Sequence, residues 1–361
     1  MIRAALVLAL LAASFPAQAA PAKPDGLTWR QAGKDMVRPV NVDISAPVAV
    51  NGFEAVEYRA FAPGGDDVGV LYRSPDHSTI ITLYVYRPSA ADARNAVLMT
   101  DGAIMGGRYG SAVIRRARQI VPFGGVPNGM FRRSYEQLQM SESALGDPMS
   151  GPQSSLLMVG QAGDWLIKLR ATGPEKDQAK VSAAADALVA AIRLGDRLKV
   201  VPLSEDEVSE CSEPSGLPPA QRKSIVKAEE RAAAGLLVVT GLTPASAADT
   251  ARPRRLCVVG RTSNSQGLAL ALRDATKPGG VDMFLFGDQG NAVRVLSDLP
   301  DGPMLVLQVQ GSALIVGPFD RSPTAAQLLG LTDGTGTAWL GQPLAVARRG
   351  AKGVEVQLTG Q

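Results

Sequence analysis

Along the first half of the chain, apolar and polar residues alternate with a period of two, the spacing of half-buried strands. Strands are predicted at 54–62 and 67–73, joined by Pro63-Gly64-Gly65, and at 79–86, which Pro88 stops. Ser89-x-x-Asp92 has the form of a capping box and opens a helix running toward Arg108. Further strands are predicted at 112–121, 130–140, 155–160 and 165–171, and Gly173-Pro174 ends the last of them. The period then changes. Residues 175–194 are alanine-rich, with Val181, Leu188 and Ile192 among the apolar positions, and read as an amphipathic closing helix. Strands joined by short turns pair antiparallel, so this half predicts a mostly antiparallel sheet with two packed helices.

The second half repeats the theme with shorter elements. Pro218-Pro219 precede a run, 221–234, that mixes Lys, Arg, Glu and Ala at helical spacing. Strands are predicted at 255–261, 282–286, 292–296, 304–310 and 313–316, the last two joined at Gly311-Ser312. Ser322-Pro323 starts a short helix through Leu329, with proline at the favoured first position. Residues 344–348 and 354–358 form a closing hairpin, and 243–253, small and polar, a loop. No internal repeat is evident. The fold class is therefore α+β with two domains, the second smaller and rich in strands.

Charge marks the boundary between them. From Val200 to Gln221 there is no Lys or Arg, but there are five acids, Glu205, Asp206, Glu207, Glu210 and Glu213, among four prolines. This reads as an acidic linker, 200–221, between an N-terminal domain at 20–199 and a C-terminal domain at 222–361. Residues 1–19 read as a secretory signal peptide. Arg3 gives the positive start, Ala4 to Ala13 the apolar stretch, and Ala17-Gln18-Ala19 a small-x-small cleavage site. That stretch is about half the roughly 20 residues a membrane span requires, and no later stretch is long and apolar enough. The expected location is periplasmic or extracellular.

The composition, 45% hydrophobic and 20% charged, is that of a globular protein, and aromatics at 5% make the cores aliphatic. Net charge is +3, or +2 once Arg3 leaves with the leader, so global charge decides nothing about partners. Cys211 and Cys257 are the only cysteines. In an exported protein a disulfide is the default for such a pair, with free thiols the alternative.

Catalytic chemistry has little to work with. His77 is the only histidine, and it sits in Ser74-Pro75-Asp76-His77-Ser78, a turn composition between two strands. A Ser–His–acid triad would have to use it, and there is no Gly-x-Ser-x-Gly elbow to hold the serine. Zinc sites built on several histidines are excluded by count. Asp333-Gly334-Thr335-Gly336-Thr337 could cradle a phosphate but reads as a turn. The pair Asp66-Asp67 sits in a glycine-bearing loop without a partner pair at glycosidase spacing. No cofactor is expected.

The anomaly is basic. Between Asp101 and Glu136 lie six arginines and no acid: Arg108, Arg115, Arg116, Arg118, Arg132 and Arg133. Five flank a predicted turn at 122–129. A hairpin centred near Gly125 would place Arg132 across from Arg118, and the cluster would form one surface. Arg115, Arg116, Arg118, Arg132 and Arg133 are thus the candidates for binding an anionic envelope component; a solvated sheet face is the alternative. Few aromatics interleave and the compartment is wrong, so nucleic acid is not the expected partner.

Gly69-Val70-Leu71-Tyr72, Thr82-Leu83-Tyr84-Val85-Tyr86 and Asp164-Trp165-Leu166-Ile167-Lys168-Leu169-Arg170 before a final helix carry a resemblance. Over residues 54–194 the chain resembles a group of uncharacterised secreted bacterial proteins whose layout is that of the PsbP-like α/β sandwich. The resemblance implies a fold and no activity. The function expected is a non-catalytic binding or interaction protein of the cell envelope, its ligand or protein partner open. A secreted hydrolase with an unidentified site is the alternative.

Overall fold

The computed structural model describes residues 24–61, 65–87, 93–105, 114–138, 152–204, 209–213, 216–224, 256–264, 267–276, 280–286, 291–297, 299–309, 312–332, 338–341, 343–350 and 353–358. The expected signal peptide at 1–19, Arg108, the residues following Lys223-Ser224 up to 255, and the Asp333–Thr337 segment lie outside them.

In chain order the elements are β1 (Trp29–Gln31), β2 (Met36–Pro39), β3 (Ile44–Pro47), β4 (Ala49–Val50), β5 (Phe53–Ala60), β6 (Asp67–Arg73), β7 (Ile80–Tyr86), α1 (Ala93–Met105), β8 (Ile114–Arg115), β9 (Gln119–Phe123), β10 (Val126–Leu138), β11 (Gln153–Ala162) and β12 (Trp165–Pro174). A turn of 3-10 helix, Glu175–Asp177, leads into α2 (Gln178–Ala191) and β13 (Arg193–Leu194). There follow β14 (Ser209–Glu210), β15 (Leu256–Asn264), β16 (Gly267–Asp274), β17 (Met283–Phe286), β18 (Asn291–Leu296), β19 (Met304–Val309), β20 (Ser312–Val316), α3 (Ala325–Leu329), β21 (Ala345–Gly350) and β22 (Gly353–Leu358). Among the described residues the chain is α+β, mostly sheet, with three sheets.

The central sheet runs β4-β5-β6-β7-β12-β11-β10-β8, with β9 also on β10, and its pairs are antiparallel. Its middle strands are covered on both faces: all ten residues of β11 are buried. On one face lie α2, through Val181, Ala184, Ala185 and Leu188 at helical spacing, and the small sheet β1-β2-β3-β13. On the other lies α1, whose Ala93, Ala96, Val97 and Ile104 pack on Tyr86, Phe131, Tyr135, Leu157 and Val159.

The second large sheet runs β14 to β22 in sequence order. Only β14 is parallel to its neighbour; the rest is an antiparallel meander. One face carries Phe284, Val293, Leu305, Val316 and Phe319 under α3. The other carries Val258, Leu270, Leu272, Met283 and Leu285, and against it packs Met99 of α1. Helix α1 therefore lies between the two large sheets. Gly102 makes the approach possible: a Cβ there would stand 2.5 Å from Leu268 of β16.

Residues 200–213 cross from one sheet to the other. Val200 bridges to Ala162, and the Leu203 N–H donates to the Asn128 carbonyl, so the first end is seated on the central sheet. The other end is β14, where the Cys211 N–H donates to Val258 of β15. Only 205–208 between them are undescribed.

Several expectations are corrected. Of the helix expected at 221–234, residues 221–224 are not helical: Arg222 bridges to Phe319 and the Lys223 N–H donates to the Pro318 carbonyl; 225–234 lie outside the described residues. Helix α3 starts two residues later than expected, because Thr324 rather than Ser322 caps it, in a reciprocal box with Gln327. The strand expected at 112–121 is two pieces, β8 and β9, both paired with β10. Strands β1 to β3 and β16 had no counterpart in the sequence reading.

Candidate anion-binding site

The turn joining β9 to β10 is Gly124-Gly125, both at positive φ (56° and 81°), a two-residue hairpin that needs glycine. Between the pairs Val126↔Phe123 and Met130↔Val121 the register slips, where Pro127 has no N–H to give the ladder. The slip puts Gln119, not Arg118, across from Arg132. It corrects the expected register by one residue.

Alternation along β10 then divides the arginines. Phe131, Arg133 and Tyr135 point toward α1; Met130, Arg132 and Glu136 point toward α2. The five candidates do not form one continuous surface.

On the α1 side the centre is Asp101, whose side chain is 7% exposed. Its Oδ1 accepts from Arg133 Nη1 at 2.9 Å and from the Tyr135 hydroxyl at 2.8 Å. Its Oδ2 accepts from Arg115 Nη1 at 2.6 Å. Burial, and then the negative charge of Asp101, push the Tyr135 phenol far above its ordinary value, so it stays a neutral donor. Arg133 is 11% exposed and Arg115 48%. Arg133 Nε is buried with no hydrogen-bond partner among the described residues. Arg118 lies over the Phe131 ring, 5.0 Å from its centroid.

On the α2 side each cation meets its own acid. Arg116 donates twice to Glu136, at 2.7 and 2.6 Å, which raises the guanidinium's pKa and lowers that of the carboxyl. Gln178 of α2 also donates to Glu136. Arg132 donates to Ser182, to Gln119 at 3.1 Å, and to Asp186 at 3.3 Å.

A third basic position escaped the sequence reading. Lys168 of β12 is 4% exposed, its ammonium 4.6 Å from the Tyr84 ring centroid and 5.6 Å from that of Tyr86. Its signal was present: Lys168 and Arg170 interrupt an apolar run in a strand covered on both faces. His77 is exposed in its turn, at φ 57°, with its N–H on the Ser74 carbonyl. Among the described residues no three His, Cys, Asp or Glu side chains converge as a metal-ligand set.

Cys211 and Cys257 are joined, S–S 2.04 Å and Cα–Cα 5.6 Å. The bond fixes the end of 200–213 to β15, beside the ion pair of Glu210 with Arg261 and the Glu213 carboxylate that accepts the Ala325 N–H at 2.9 Å. No helix among the described residues is long and apolar enough to cross a membrane.

The class these features define is an α+β protein with one helix held between two large sheets. No protein-family model matches the chain, and no curated protein matches it. Among solved structures the chain is similar to cyanobacterial PsbP (CyanoP) from Synechocystis sp. PCC 6803, at 12% identity and a TM-score of 0.30, covering 46% of this chain and 96% of that one. The likeness fits a PsbP-like layout loosely and carries no argument about function.

Proposed function

We propose that the chain is an exported, non-catalytic binding protein of the cell envelope that takes an anionic component at the β8–β10 edge. The observation that carries this reading is the sharing of one buried carboxylate, Asp101, by two guanidiniums, of which Arg115 reaches solvent. Two positive charges against one leave an excess held in a fixed position. The Cys211–Cys257 bond supports the exported half of the reading, since such bonds persist in oxidising compartments.

The test uses the mature full-length chain, whose intact mass should correspond to a start at Ala20. Binding is measured against a panel of anionic vesicles, acidic polysaccharide and inorganic polyphosphate. At low salt at least one should bind. The interaction should fade as salt screens exposed charges beyond about 10 Å at roughly 0.1 M. If none binds at low salt, or the secreted chain still carries Met1, the reading is wrong.

A further inference from the structure

The second large sheet ends on an unguarded strand. Among the described residues, six strands end the three sheet orders. Five of them, β1, β4, β8, β13 and β14, are two or three residues long, and short edge strands are poor templates for further pairing. The sixth, β22, runs over Gly353–Leu358, six residues, and pairs with β21 alone. It holds no proline and no lysine, and Glu355 is its one charge. Residues 355–358 are all exposed, and Val356 and Leu358, at 38% and 48%, are two of the six large hydrophobic side chains exposed among the described residues. Both continue an apolar face of the sheet. The register sets Val356 in a row with Ala347 and Ala313, and Leu358 in a row with Ala345, Ile315 and Val306. Those neighbours are buried in one core cluster. The rows are thus covered as far as β21 and stop in water at β22.

We propose that β22 pairs antiparallel with β22 of a second copy of this chain, about a two-fold axis perpendicular to the sheet. The interface is isologous, and the outward N–H and C=O groups of each strand complete the ladder of the other. Such an axis keeps each face of the sheet on its own side, so the pairing centres on a residue and never between two. Centring on Glu355 sets two carboxylates opposite each other, which destabilises a sheet pair. Centring on Gln357 sends Glu355 and Val354 to partners beyond the strand. Centring on Val356 sets Val356 across from its own copy, Leu358 across from Val354, and Glu355 across from Gln357. Apolar then meets apolar, the acid meets an amide, and the two rows run on into the second molecule. The strand is self-complementary in that register, which is what favours a second copy over an unrelated strand.

The experiment is sedimentation equilibrium of the mature full-length chain at concentrations up to the millimolar range. Wild type should pass reversibly from monomer to dimer. Val356→Lys and Val356→Glu should each weaken the dimer about tenfold or more, because like charges then meet at the two-fold centre. An equimolar mixture of the two variants should dimerise again, because only the central residue faces its own counterpart. Val356 is exposed, so both variants should unfold in urea at the wild-type midpoint; if one does not, dimerisation of the mixture still decides. A wild type that stays monomeric throughout overturns the proposal. So does a dimer undiminished by Val356→Lys, which would be built on another surface, and so does a mixture that stays monomeric.

Discussion

The two faces of β10 handle arginine in opposite ways. Toward α1, Arg115, Arg133 and the Tyr135 hydroxyl converge on one buried acid, Asp101. Toward α2, Arg116 and Arg132 each have an acid of their own, Glu136 and Asp186, nearer to water. The difference follows from what covers each face. Helix α1 is held between two sheets, so a carboxylate on it is desolvated and is stable only with several strong donors. The α2 face opens to solvent beside Arg116 and Asp186, where ion pairs are screened and contribute little. One side is a fixed, charge-unbalanced network; the other is a balanced surface.

That contrast can be broken by mutation. Asp101→Ala removes the shared acceptor and leaves Arg133 and the Tyr135 hydroxyl buried without it. The expected loss is about 3 kcal/mol, read from urea unfolding monitored by tryptophan fluorescence. A loss as small as that of a surface pair would mean that the network is not desolvated. Gly102→Val drives a side chain into Leu268 at the α1–β16 contact. Overpacking of this kind should cost about 1–3 kcal/mol. It should also make the chain after Cys257 more susceptible to limited proteolysis than that before Ile192. Ala190→Val, on the exposed side of α2, is the control and should do neither.

Smaller effects sharpen the comparison. Tyr135→Phe removes one hydrogen bond to a charged acceptor and should cost about 1.5 kcal/mol. Glu136→Gln, on the other face, should leave the unfolding midpoint unchanged within scatter. The smallest effect is in acid. Hydrogen bonds from Ser74 and Ser78, with Lys180 of α2 nearby, hold Asp76 down at about 2. Burial raises the Asp25 carboxyl, but the Thr28 hydroxyl and the N–H groups of Leu27, Thr28 and Trp29 outweigh it and bring it to about 2 as well. Folded values below the ordinary 3.8 mean that the unfolded chain binds these protons first. Their contribution is full above that pH and is lost as pH falls toward about 2. Asp25→Asn removes a contribution that is full at neutral pH, so it should lower stability there slightly and flatten the profile between pH 3.8 and about 2.

How much of this was legible varied with locality. Strands β5 to β7, β11 and β12, the two main helices and most of the second meander follow from alternation and from the stop signals of Pro and Gly. Strands β1 to β3 were missed because each is only three or four residues long, too short for a period to show. Strand β16 alternates Leu with Ala, Leu268, Leu270 and Leu272 against Ala269 and Ala271, so both sets are apolar and no polar face marks it. The position of α1 did have a signal. Apart from Arg94 and Asp101, the helix carries no charge, and a helix apolar all round has no face for water. In the site, the arginines were visible as a composition anomaly. Their acid partners were not, because Asp101 and Asp186 reach β10 from helices α1 and α2, and that packing is not a property of the local sequence.

The sequence by itself determined the α+β class, the order of most elements, the pairing of its only two cysteines and the concentration of arginine between Asp101 and Glu136. These rest on short-range physics: side-chain period, turn conformation, and a cysteine pair with no competitor. The tertiary structure alone decided that α1 lies between two sheets, that 200–213 is seated on both, and that Asp101 rather than solvent receives Arg115 and Arg133. Those outcomes come from contacts between residues far apart in the chain. Desolvation and packing there set the energies, and neither is a property of any local stretch of sequence.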